Sequence, residues 1–145
     1  MYNWFECKIK YDKTMENGLQ KKVVEPYLVD ATNFTEAEKR VTEEVSPYIR
    51  GEFIVDDIKR VKIAEIFESS KEEDDKWYKV KISMIIPDEK SGKEKKLANF
   101  ILVKAINIKT ALHHLEEGMK DSIMDYDVVA INETPIIDVF HYKAE

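Results

Sequence analysis

One pattern that could do chemistry occurs twice. Trp4-Phe5-Glu6-Cys7-Lys8-Ile9 is matched 73 positions later by Trp77-Tyr78-Lys79-Val80-Lys81-Ile82. Side chains of an extended strand alternate between its faces, so Trp4 shares a face with Lys8 and Lys10, and Trp77 with Lys79 and Lys81. An indole beside a row of ammonium groups suits single-stranded nucleic acid: the ring stacks a base, about 1–3 kcal/mol each, and the lysines track phosphates. Lys21, Lys22, Lys93, Lys95 and Lys96 open the neighbouring strands and would lengthen a basic edge. The competing reading gives both tryptophans to the end of a core and the lysines to its wet side.

Other reactive residues are sparse. Glu65 and Asp138 hold matching places between apolar neighbours, in Ile63-x-Glu65-x-Phe67 and Ile136-x-Asp138-x-Phe140. If those faces are buried, two carboxylates meet near a pseudo-twofold axis, where like charge raises one pKa and favours a shared proton or a cation. The opposite faces, Ala64 with Ile66 and Ile137 with Val139, are also apolar, so alternation alone leaves the buried side open. His113 and His114 are helix neighbours whose side chains diverge by about 100°, a poor arrangement for chelating one metal. They are expected in solvent beside Glu116 and Glu117. His141 lies in the last strand. Cys7 falls between Phe5 and Ile9 on an apolar strand face, as a small buried hydrophobe. No nucleophile elbow, phosphate-binding glycine loop or zinc-protease helix motif occurs. The expectation is a non-enzymatic protein with no catalytic residue, metal or cofactor.

Composition limits the classes further. The chain has 145 residues, enough for one ordinary domain or two small fused repeats. Twenty-nine acids against 23 bases leave a net charge of -6, which excludes a strongly basic, duplex-coating protein. A single cysteine excludes an intrachain disulfide. No apolar run approaches the roughly 20 residues of a membrane span. The opening residues lack a signal-peptide pattern, so the expected location is cytoplasmic, with no membrane partner.

The elements that must position these residues follow from a longer self-match. Residues 21–45 align with 95–119 at a shift of 74, with identities that include Leu28/Leu102, Val29/Val103, Ala31/Ala105, Asn33/Asn107 and Ala37/Ala111. The chain is therefore expected to be one domain of two repeats, 1–68 and 77–145, linked by a charged joint at 69–76. Phe5, Cys7, Ile9 and Tyr11 alternate as a half-buried strand. A polar turn leads to a second strand near 22–31, and 96–105 does the same in the other repeat. Thr35 with Glu38 reads as a capping box, with Phe34 as its hydrophobic staple. Ala37, Val41 and Val45 form the inward stripe of that helix, and Asn107 caps a second helix with Ala111, Leu115 and Met119 inward. One bent strand or two short ones follow each helix, near 52–67 and 126–142. The expected fold is α+β: a duplicated β-β-α-β(β) unit, with antiparallel sheets each covered by one helix in a pseudo-twofold, two-layer domain.

In length and in its opening Trp4-Phe5-Glu6-Cys7-Lys8-Ile9, the chain resembles an uncharacterised domain family of unknown function from anaerobic gut bacteria and their phages. That resemblance covers nearly all 145 residues and implies no activity. A second likeness concerns element order alone. From 52 to 120 the reading is four strands and then a helix, similar to the repeats of the PUR and whirly single-stranded nucleic-acid binders, although no sequence motif of either family is present. Together these readings lead to a binding module for single-stranded DNA or RNA. The alternative is a protein-interaction or homo-oligomeric assembly domain.

Overall fold

A computed structural model describes residues 3–142. Eight strands and two helices follow in the order β1 (Asn3–Thr14), β2 (Gln20–Ala31), α1 (Phe34–Val45), β3 (Phe53–Val61), β4 (Glu65–Phe67), β5 (Lys76–Pro87), β6 (Glu94–Ala105), α2 (Ile108–Met119), β7 (Tyr126–Thr134) and β8 (Asp138–Phe140). The fold class is α+β, as the element order of the sequence suggests.

The chain divides into two compact units: residues up to Lys62 together with those from Pro135, and residues 63–134. The first unit holds a sheet ordered β3-β1-β2-β8, and the second a sheet ordered β4-β6-β5-β7. The last short strand of each repeat thus joins the sheet built mainly by the other repeat. Both sheets are mixed rather than wholly antiparallel. Three strands of each run antiparallel, two as a hairpin and the third returning after the helix, whereas β8 pairs parallel to β2 and β4 parallel to β6. A strand that enters a sheet by crossing over from elsewhere is free of the hairpin constraint that forces antiparallel pairing.

Within the first unit, Phe5, Cys7 and Ile9 of β1 and Tyr27, Val29 and Ala31 of β2 point to one face, where they pack with Ala37, Val41 and Val45 of α1. Ile49, just beyond the helix, completes this core, and Phe53, Val55, Ile58 and Phe140 close its margin. In the second unit, Val80, Ile82, Ile101 and Val103 pack on Leu115 of α2, and Tyr78 and Ala105 on Ala111. The inward stripes at four-residue spacing are thus the buried ones in both helices.

Each helix begins at an asparagine. Asn33 Oδ1 accepts from the Glu36 amide, and Asn107 Oδ1 accepts from the Thr110 amide, both at 2.8 Å. Both caps have extended backbone. Thr35 is therefore not the cap of α1. It lies inside the first turn, and the asparagine wins because its short side chain reaches the free amide three residues on. Matching β-bulges interrupt β3 and β7: Lys8 pairs with Asp57 but Ile9 with Val55, and Lys81 with Ala130 but Ile82 with Val128. Asp56 and Val129 are the extra residues.

Candidate binding surface

Strand alternation puts the repeated aromatic and basic residues on the sheet faces opposite the helices. In the first unit, β1 presents Trp4, Glu6, Lys8 and Lys10 there, across from Asp30, Leu28, Pro26 and Val24 of β2. Trp4 is half-buried, with the His141 ring edge-on at 5.1 Å. Glu6 stands between Trp4 and Lys8 and forms a 3.7 Å ion pair with Lys59. Lys8 and Lys10 are half-buried, with Asp57 opposite Lys8 and the exposed Ile54 and Val24 flanking Lys10.

The second unit differs at its tryptophan. Trp77 is only 2% exposed, and its Nε1 has no hydrogen-bond partner. The Lys104 ammonium lies over the ring at 5.6 Å from the centroid. Such a ring has no open face for a base. Lys79 and Lys81 are exposed, as the sequence suggests, but Lys79 sits 4.5 Å over the Phe100 ring and caps that platform as well. The structure thus exposes one lysine row, leaves the other half-buried and closes one of the two indoles.

The acidic pair is not brought together in one buried site. Glu65 and Asp138 belong to different sheets in different units, and both are exposed. Each does lie on the helix side of its sheet, with Phe67 and Phe140 respectively, but at the margin, where water solvates the carboxylate. Among the described residues, no group of three or more His, Cys, Asp or Glu side chains is placed to hold a metal ion.

Cys7 is fully buried. Burial first, and then the nearby Glu6 and Asp57 carboxylates, push its thiol up to about 12, so it carries no thiolate at neutral pH. Tyr27 rises to about 12 through burial and the charges of Glu25 and Asp138. Tyr11 is held above the ordinary phenol range by burial and by donating its hydroxyl to Glu25.

One polar cluster escapes a sequence reading. Asp74, within the charged joint, is 2% exposed and accepts a hydrogen bond from the Ser69 hydroxyl. His114 bonds through Nδ1 to the Lys104 carbonyl oxygen at 2.9 Å and turns Nε2 toward Asp74 at 3.9 Å. His113 is exposed, as expected, but His114 is half-buried. The carboxylate stands between serine and imidazole, so the imidazole is not placed to take the serine proton, and the cluster is no hydrolytic triad. It anchors the joint to α2 and β6.

A family model, Domain of unknown function (DUF4494), matches residues 3–142. The chain belongs to the DUF4494 family. No curated protein and no solved structure matches it. The DUF4494 description carries no activity. Among the described residues, no helix is long and apolar enough to cross a membrane.

Proposed function

We propose that this chain is a non-enzymatic binding module whose partner is a protein strand, supplied most simply by a second copy of the chain along the free edge of β7. The observation that carries this reading is the contrast between the two nine-residue edge strands. Natural edges are kept from pairing by charge and by bulges. β3 has both, with Asp56 in its bulge beside Asp57. β7 keeps the bulge but has the exposed Val129 where β3 has Asp56 and Ala130 where it has Asp57, with the exposed Val128 beside them and a single acid, Asp127, next along the strand. An antiparallel pair of β7 edges would shield these valines and join two sheets about a twofold axis. The burial of Trp77 adds support, since it removes half of the stacking platform that nucleic acid would use.

Sedimentation at rising concentration tests the reading. The expected result is a shift from the 17.0 kDa monomer toward a dimer, abolished by Val129→Asp. A wild-type chain that stays monomeric while its β7 amides exchange rapidly would refute it.

A second reading, single-stranded DNA or RNA, keeps one specific support. Lys79 and Lys81 are exposed in a row on a helix-free face, and in the other unit the half-buried Lys8 and Lys10 share such a face. Binding of a labelled oligothymidylate that weakens steeply with salt, and is lost in Lys79→Glu/Lys81→Glu, would favour this reading over the first.

A further inference from the structure

The two units are built on the same plan, so each serves as a control for the other. In the first unit, the space between the end of α1 and the sheet is filled. Tyr11 donates to Glu25 of the neighbouring strand at 2.7 Å, Tyr27 stacks on Phe140 at 5.8 Å, and Ile49 seals the end at 9% exposure. In the second unit the matching positions hold smaller or withdrawn groups. Met84 stands where the first unit has Tyr11, and Ile101 where it has Tyr27. Ile123, the counterpart of Ile49, is 100% exposed.

An open cleft of about 390 Å³ remains, floored by Phe67, Ile82, Met84, Ile101 and Met119. Gly118 forms part of its wall, where the first repeat has Glu44. A Cβ at Gly118 would lie 2.6 Å from the Phe67 ring, so only glycine allows the ring to lean on the helix. Without a tyrosine to stack on, Phe67 lies against the helix at Gly118 instead. Glu65 and Asp121 stand at the rim, and neither belongs to a salt bridge among the described residues. An apolar floor with a few polar groups at its mouth is the usual form of a small-ligand site.

We propose that this cleft binds a small amphipathic amine, its branched aliphatic body taking the place that Ile49 fills in the first unit and its ammonium group lying at the rim with Glu65 and Asp121. The body follows from the repeat, because a branched aliphatic side chain is what the equivalent space accepts. The head follows from charge, because two carboxylates without a cation attract an amine and repel an acid. This site is independent of the β7 edge, so either can fail without the other.

Titration of the full chain with isopentylamine, isopentanol and isovalerate, followed by amide nuclear magnetic resonance, tests the proposal. Isopentylamine at millimolar concentration is expected to shift the Ile101, Gly118 and Met119 amides, the alcohol to bind more weakly and isovalerate to leave them unmoved. Glu65→Gln is a surface change that leaves the core intact and should weaken the amine about three- to fivefold. Met84→Tyr with Ile101→Tyr rebuilds the filled core and should abolish binding. Three outcomes would overturn the proposal: no shifts with the amine, equal shifts with isovalerate, or Ile123 methyl contacts to Phe67 and Met119, which would mean that the loop fills its own cleft. If the double variant does not fold, the Glu65→Gln result and the ranking of the three probes still decide.

Discussion

Truncation of Trp77 separates a structural from a recognition role for the repeated aromatic pattern. The ring is 2% exposed, so Trp77→Ala removes a fully buried aromatic side chain. The expected cost is about 3–5 kcal/mol, most of it apolar burial and cavity. About 0.5–1 kcal/mol of that belongs to the Lys104 ammonium over the ring. Trp77→Phe should behave quite differently. It keeps a six-membered ring and removes a buried Nε1–H that has no partner in the protein. Relief of that unmet donor, about 1–3 kcal/mol, offsets the lost apolar area, about 1–2 kcal/mol. The net change for Trp77→Phe should therefore lie within about 1 kcal/mol of zero. Urea unfolding followed by far-ultraviolet circular dichroism measures both variants. Trp4→Phe supplies an independent check, since Trp77 is then the sole tryptophan. Its emission should be blue-shifted and shielded from acrylamide. If Trp77→Ala costs less than about 1 kcal/mol, or the emission of Trp77 resembles free indole, the burial argument fails and the stacking face is open again.

Further expectations rest on single sites. Asn33→Ala and Asn107→Ala should each destabilise by about 1 kcal/mol, while Thr35→Ala should cost far less, because both helices are capped by the asparagine carbonyl; thermal unfolding of the three variants measures the difference. Cys7 should resist a thiol reagent at pH 8 in the native state and react on unfolding. Its proton is held to about 12 in the folded chain against an ordinary value of 9.0. Below pH 9 both states keep the proton and the full stability is present. Above pH 9 only the unfolded chain releases it, so stability should fall steadily toward pH 12, with Tyr27 acting in the same direction from pH 10 upward. A flat stability profile between pH 9 and 11 would contradict the burial of both groups.

Much of this fold is legible where the sequence repeats itself. The alternation of Phe5, Cys7, Ile9 and Tyr11 marks the core face of β1, and the four-residue spacing of Ala37, Val41 and Val45 marks that of α1. The true cap of α1 was also visible, since Asn33 is identical to Asn107 across the repeat, yet Thr35 with Glu38 offered a competing motif two residues on. For Trp77 the sequence left two readings open, an outward stacking ring or the end of a core, and alternation could not decide between them. Alternation assumes one wet face per strand, but on the helix-free faces Leu28 and Leu102 are each 1% exposed. Aromatic residues beside them can be buried while looking like an outward row. Strands of three residues such as β4 and β8 carry too little pattern to reveal which sheet they join. Asp74 was hidden by its neighbours, because an acid within a charged run reads as solvated whatever its own surroundings. The cleft floor is legible only afterwards, as Tyr11 and Tyr27 set against Met84 and Ile101.

The exchange of β4 and β8 also bears on how the chain can be made and divided. During synthesis the first three strands and α1 emerge early, but the sheet they form waits for its fourth member until the C-terminal segment leaves the ribosome. The second sheet has the reverse history, since its guest strand is already present when β5 and β6 appear. A gene cut between the repeats would therefore yield two halves that each carry a strand belonging to the other's sheet. Such halves are mutually dependent, and when produced together they should reassemble by returning those strands.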